Sequence, residues 1–176
     1  MTKKVSVVEQ IASCHQQLDE IFLLHQEALI QGQLQDASSI LKAYNACHTV
    51  HMQFEDEVLL PKYASLEEQG KWGATLYQQE HHKIHNLYEK IEQGLLWLME
   101  QSLNSSQLRR NIINLLDREK SFKGLCEHHQ EREESSLLIE LDRQVNNEWR
   151  EEKLNLFLQQ WQQTMDKEME EIKDRI

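Results

Sequence analysis

Apolar residues recur along this chain at three- and four-residue spacing, the pattern of helices that bury one face. The first stripe occupies roughly residues 5–31, with Val8, Ile11, His15, Leu18, Phe22, His25 and Leu29 on one side and Gly32 as a natural stop. A second covers roughly residues 36–60 through Ile40, Tyr44, Cys47, His51, Glu55 and Val58, and Pro61 is expected to end it. A polar connection over 67–73 leads to a third helix reaching about Leu103, with Tyr77, His81, Ile84, Tyr88, Ile91, Leu95 and Leu98 inward. Asn104, Ser105 and Ser106 read as a turn and N-cap. The fourth stripe carries Leu108, Ile112, Leu115, Phe122, Cys126, His129, Glu133 and Leu137, with a bend expected near Gly124. Beyond Asn146 and Asn147, a fifth amphipathic helix presents Leu154, Phe157, Leu158, Trp161, Met165, Met169 and Ile172.

The expected class is all-α, and the short connections imply an antiparallel up-down-up-down four-helix bundle with an additional C-terminal amphipathic helix. We divide the chain into a bundle domain, residues 1–146, and a C-terminal helix, residues 147–176. The stripe of that last helix must be covered, either by the bundle or, as a homodimer or heterologous contact, by a protein partner.

Composition sharpens this reading. One proline and five glycines in 176 residues leave too little punctuation for a β or βαβ fold. The balance of 19 basic and 30 acidic residues, a net charge of −11, argues against a nucleic-acid surface and against attraction to an anionic membrane. No apolar run approaches the roughly 20 residues needed to span a bilayer, and the opening residues lack the apolar core of a secretory signal. A cytoplasmic location is therefore expected. Cys14, Cys47 and Cys126 are odd in number, widely spaced and outside any CxxC pair, so they suggest small core residues, neither a disulfide framework nor a thiolate zinc site.

The inward stripes also carry ionisable groups: His15 on the first helix, His51 and Glu55 on the second, His81 with His85 on the third, and His129 with Glu133 on the fourth. A buried carboxylate without a partner costs several kcal/mol, of the order given for isolated ions, so two of them on core stripes require cations to face. Residues i and i+4 share a helix face, so His51 with Glu55, His81 with His85, and His129 with Glu133 can each offer two ligands. Imidazole and carboxylate together suit iron, manganese or zinc. Seven candidate ligands are too many for one ordinary site and about right for two metals with an open position. Register selects His15 over His25: counted from a turn near Gln33, His51 lies as far beyond it as His15 lies before it, whereas His25 would sit roughly 15 Å lower along the axis. About Asn104, His81 and His129 fall at similar depths. His25, His48, His82 and His128 are read as structural histidines.

Together these residues resemble the hemerythrin-like family, also called the HHE cation-binding domain. The resemblance runs over roughly residues 5–142 and lies in the lone His15, in His51 to Glu55 within HMQFEDEVLLP, in His81 and His85 within EHHKIH, and in EHHQEREESSLL. It implies an oxo- or hydroxo-bridged centre of two non-haem iron ions, with five histidines as nitrogen ligands and Glu55 and Glu133 as bridging carboxylates. The last pair reads as His129 with Glu133, His128 with Glu133, or His129 with Glu134. The leading expectation is non-catalytic, namely binding or sensing of dioxygen or another small diatomic. The alternative is an enzyme or iron donor acting on nitric oxide or peroxide, or in iron–sulfur cluster repair.

Overall fold

The computed structural model describes residues 6–176, and among these every regular element is helical. Helix α1 (Val7–Ile30) begins at Ser6, whose side chain accepts the Glu9 amide; the expected start near Val5 lies outside the described residues. It ends at Gly32, φ +75°, where the amides of Gly32 and Gln33 return to the carbonyls of Leu29 and Ala28. That pairing needs a left-handed residue after the helix, a conformation glycine adopts without a Cβ penalty.

Helix α2 (Leu34–Phe54) departs from expectation at its far end. It passes through a π-helical turn, Glu55–Leu59, into a short helix α3 (Leu60–Ala64), so Pro61 does not terminate the run but sits in the first turn of α3. A proline is tolerated there because the wider turn restarts the helix and leaves no hydrogen bond for its missing N–H to break. The same turn moves the inward position from Val58, which is half-buried, to Leu59, which is buried.

Helix α4 (Ala74–Met99) stops four residues short of Leu103. Asn104 then opens α5 (Ser105–Arg132) with a reciprocal capping box to Gln107. No break occurs at Gly124; the irregularity falls at a second π-helical turn, Glu133–Leu137, before α6 (Leu138–Gln144). Helix α7 (Asn147–Ile172) is capped by Asn146.

Helices α1 and α2 pack on each other, as do α4 and α5, and the pairs meet through α2 with α4 and α1 with α5. Helix α7 lies against α2 and α1, burying Leu154, Phe157, Trp161 and Ile172, so its apolar stripe is covered within the chain. Its first turn is anchored by Arg150, fully buried, whose guanidinium donates to the carbonyls of Asp142 and Val145 and to Asn147. No described helix is long and apolar enough to cross a membrane.

Candidate metal centre

Four helices each send one histidine to a common point: His15 from α1, His51 from α2, His81 from α4 and His129 from α5, all at most 5 % exposed. Glu55 and Glu133, the residues that open the two π-helical turns, join them and are buried completely. Helical turns of this kind recur at functional sites because the extra residue re-aims side chains that a regular helix would turn away.

The distances divide the six residues into two halves. The Nε2 atoms of His15 and His51 are 3.1 Å apart, and those of His81 and His129 are 3.0 Å apart. Two nitrogens bound cis to one octahedral ion at about 2.1 Å would stand about 3.0 Å apart, which matches both pairs. The carboxylates span the halves. Glu55 places Oε1 2.8 Å from His51 Nε2 and Oε2 3.3 Å from His81 Nε2. Glu133 places Oε2 3.3 Å from His15 Nε2 and Oε1 3.2 Å from His129 Nε2. The result is two metal-competent groups, His15, His51, Glu55 and Glu133, and Glu55, His81, His129 and Glu133, each with ligand atoms within 4.8 Å of one another. They share both glutamates.

Outer carboxylates orient the rings. His15 Nδ1 is 2.7 Å from Glu134, His81 Nδ1 2.8 Å from Asp56, and His129 Nδ1 2.9 Å from Glu80, which in turn pairs with Arg132. Each contact holds a proton on Nδ1 and turns Nε2 inward, so that Nε2 is the nitrogen a metal would take once its own proton is released. Asp56 and Glu134 directly follow the two glutamates that span the halves, so each π-helical turn supplies one inner and one outer carboxylate.

Burial disfavours every charge here, yet the carboxylates outweigh it on the histidines. In the metal-free chain, burial opposes the His15 cation but Glu133 and Glu134 hold its pKa at about 10. His81, facing Asp56 and Glu55, also stands at about 10, and His129, facing Glu133 and Glu80, at about 9. Glu55 is held below the ordinary carboxylate value by His51 and His81, and Glu133 by His129 and His15, again against burial. Among the described residues, the four carboxylate oxygens of this pair face no polar partner other than the four histidine Nε2 atoms. Buried anions call for cations at this spot: protonated histidines serve in the metal-free chain, and two metal ions fit the same donor set.

His85 does not join the cluster. Its side chain is 62 % exposed and pairs with Glu89. The buried stripe of α4 runs through Tyr77, Glu80, His81, Ile84 and Tyr88, and a step of one residue past Ile84 turns His85 about 100° away, onto the solvent side. The geometry distinguishes the three options for the last pair: His128 is exposed beside Glu131, Glu134 stands behind His15, and His129 with Glu133 faces inward. His25 lies further down α1 in a buried contact of its own, its Nε2 3.0 Å from Glu119 and its Nδ1 2.8 Å from the Ala37 carbonyl. His48 stacks on Tyr44.

Sequence reasoning misses Asp56, Glu80 and Arg132, and names Glu134 only as an alternative ligand beside His129, whereas it bonds His15 Nδ1. The available signal was the acidic residue following each inward glutamate, which periodicity alone assigns to solvent.

A cavity of about 10 Å³, enough for roughly one water, borders His15, His51, Glu55 and His129. Beside it a cleft of about 270 Å³ opens between α2 and α4, lined by Met52, Asp56, His81, His82 and His85 among others. Comparison of the chain with models of known families, with curated proteins and with solved structures yields no match.

Proposed function

We propose that this chain is a hemerythrin-like protein that binds or senses dioxygen, with α1, α2, α4 and α5 forming an antiparallel up-down-up-down bundle around two non-haem iron ions. One observation carries the reading. Two fully buried glutamates each direct one oxygen to each of two histidine pairs, so that four buried anionic oxygens and four Nε2 atoms converge on two positions that metal cations would fill. A ferrous pair, when bound, supplies two electrons to a small oxidant.

The chain's own residues do the rest. His15, His51, His81 and His129 offer Nε2 to the metals, and Glu55 and Glu133 hold the two positions at a fixed spacing. Glu134, Asp56 and Glu80 keep the Nδ1 protons in place. Leu18 and Ile84 line the inner side, and Phe157 and Trp161 of α7 close the site behind His51, which excludes bulk water. The cleft between α2 and α4 is the approach for a small molecule, with His81 at its inner wall.

A second reading is an enzyme that reduces peroxide or nitric oxide, or an iron donor. It draws on the outward position of His85: each half then offers four protein ligands, so two six-coordinate ions would both keep positions free. The test is iron per chain after iron-replete production, with optical spectra of the reduced protein before and after air. Two irons and a reversible, air-induced charge-transfer band are the expected result. Two irons that oxidise irreversibly, with turnover of peroxide or nitric oxide, select the second reading, and a folded chain that takes up no iron rejects both.

A further inference from the structure

The two halves of the centre correspond residue for residue. His15 and His81 each accept support from the acid that follows a spanning glutamate, Glu134 and Asp56. His51 and His129 each stand four residues before such a glutamate. The correspondence fails at one atom. His129 Nδ1 meets Glu80, the residue before His81. The residue before His15 is Cys14, which is buried, and His51 Nδ1 has no hydrogen-bond partner among the described residues although the ring is buried.

Apolar packing takes the place of that bond. The His51 ring is flanked by Phe157 at 6.3 Å and Trp161 at 6.1 Å between centroids, both from α7. Phe157 is itself stacked on Phe54 at 4.2 Å, and the Trp161 indole N–H donates to Gln17. The His81 and His129 half is held differently: Tyr77 of α4 stands edge-on to His129 at 6.1 Å, and Asp56 and Glu80, the latter paired with Arg132, bond both rings.

An outer carboxylate fixes the tautomer and ring orientation of a ligand histidine and raises its basicity, and losing one typically lowers metal affinity 10- to 100-fold. We propose that the two metal positions are unequal: the ion on His81 and His129 is held firmly, the ion on His15 and His51 is exchangeable, and α7 acts as the positioning wall of the exchangeable half. This rests on the two-metal reading given above.

The experiment is an anaerobic titration of the full-length apoprotein with ferrous iron by calorimetry, followed by chelator challenge of the loaded protein. Two binding steps separated by 10- to 100-fold are expected, with one iron removed by the chelator well before the other. Glu80→Gln, which keeps the side-chain shape and drops the charge, should weaken the tight step and bring the two together. Trp161→Leu should weaken the loose step alone; circular dichroism checks its fold, and Phe157→Leu serves in its place if that fold is lost. Two equal steps in the parent protein, or a Glu80→Gln variant whose tight step is unchanged, would overturn the inference while leaving a two-metal centre intact. A folded apoprotein that binds no iron overturns the centre itself.

Discussion

Asp142 holds three parts of the chain together, and its replacement by alanine tests that. Its carboxylate accepts from the Ser6 hydroxyl at 2.6 Å and from the amides of Val7 and Val8, at the start of α1, while Arg150 Nε of α7 lies 3.2 Å from the same group. Arg150 is 1 % exposed, so Asp142→Ala would leave a buried guanidinium without its counter-charge. Breaking a buried pair from one side costs about 3–5 kcal/mol. The loss of three hydrogen bonds at the start of α1 acts in the same direction. For a chain of this size roughly 1 kcal/mol moves the melting temperature by about 2–4 °C, so the expected fall is on the order of 6–20 °C. Thermal unfolding of the metal-free protein, followed by far-ultraviolet circular dichroism, measures it. A second variant carrying both Asp142→Ala and Arg150→Met should recover much of the loss, because it removes the orphaned charge as well. A fall of under about 2 °C for the single variant, or no recovery in the double, would refute the clamp.

Three further outcomes follow from the site. His85→Ala should retain the full iron content of the parent, whereas His81→Ala should lose iron from its half; equal losses would return His85 to the ligand set. In the metal-free chain the raised values of His15, His81 and His129, about 10, 10 and 9 against 6.5 unfolded, stabilise fully below pH 6.5 and lose that effect as pH rises through 9 to 10. The lowered values of Glu55 and Glu133 act above 4.5 and fade on acidification, so urea midpoints should be higher at pH 6 than at pH 9.5, and the reverse order would contradict this electrostatic account. Burial pushes the thiols of Cys14, Cys47 and Cys126 up to about 12, leaving on the order of one thiolate in ten thousand at pH 8. A thiol reagent should therefore label the native chain only at its unfolding rate, and fast labelling of any of the three would show an open core.

Much of this was legible in the amino-acid pattern because helix period and register are local properties. The stripe through Ile11, His15, Leu18 and Phe22 predicts its own burial, and equal counts from Gln33 pick His15 over His25 without any knowledge of packing. What failed were features that depend on a change of period. His85 satisfies the i+4 rule from His81, but the stripe on α4 tilts through Glu80 and Ile84 and leaves it outside. The π-helical turns are invisible to a fixed 3.6-residue count, which therefore makes Pro61 a stop and Val58 a core position, and gives no role to Asp56. Glu80 carries no signal of its own in the sequence, since its environment depends on Arg132 and His129 arriving from α5.

The two π-helical turns bear on how such a site is gained and lost. In α2 the buried positions run through Cys47, His51, Phe54 and Glu55 and resume at Leu59, one residue beyond Val58, where a regular helix continuing from His51 and Phe54 would place its next inward side chain. The turn is thus one residue longer than the helix needs, and the surplus is taken up beside Glu55 and Asp56. Deleting a single residue from Glu55–Leu59 would let α2 continue as ordinary α-helix with Leu60 and Tyr63 still in phase with the core, at the expense of the carboxylates' aim. Fold and metal site are therefore separable by chain length: a one-residue deletion in each turn should give a shorter helical protein that keeps its core and has no metal centre.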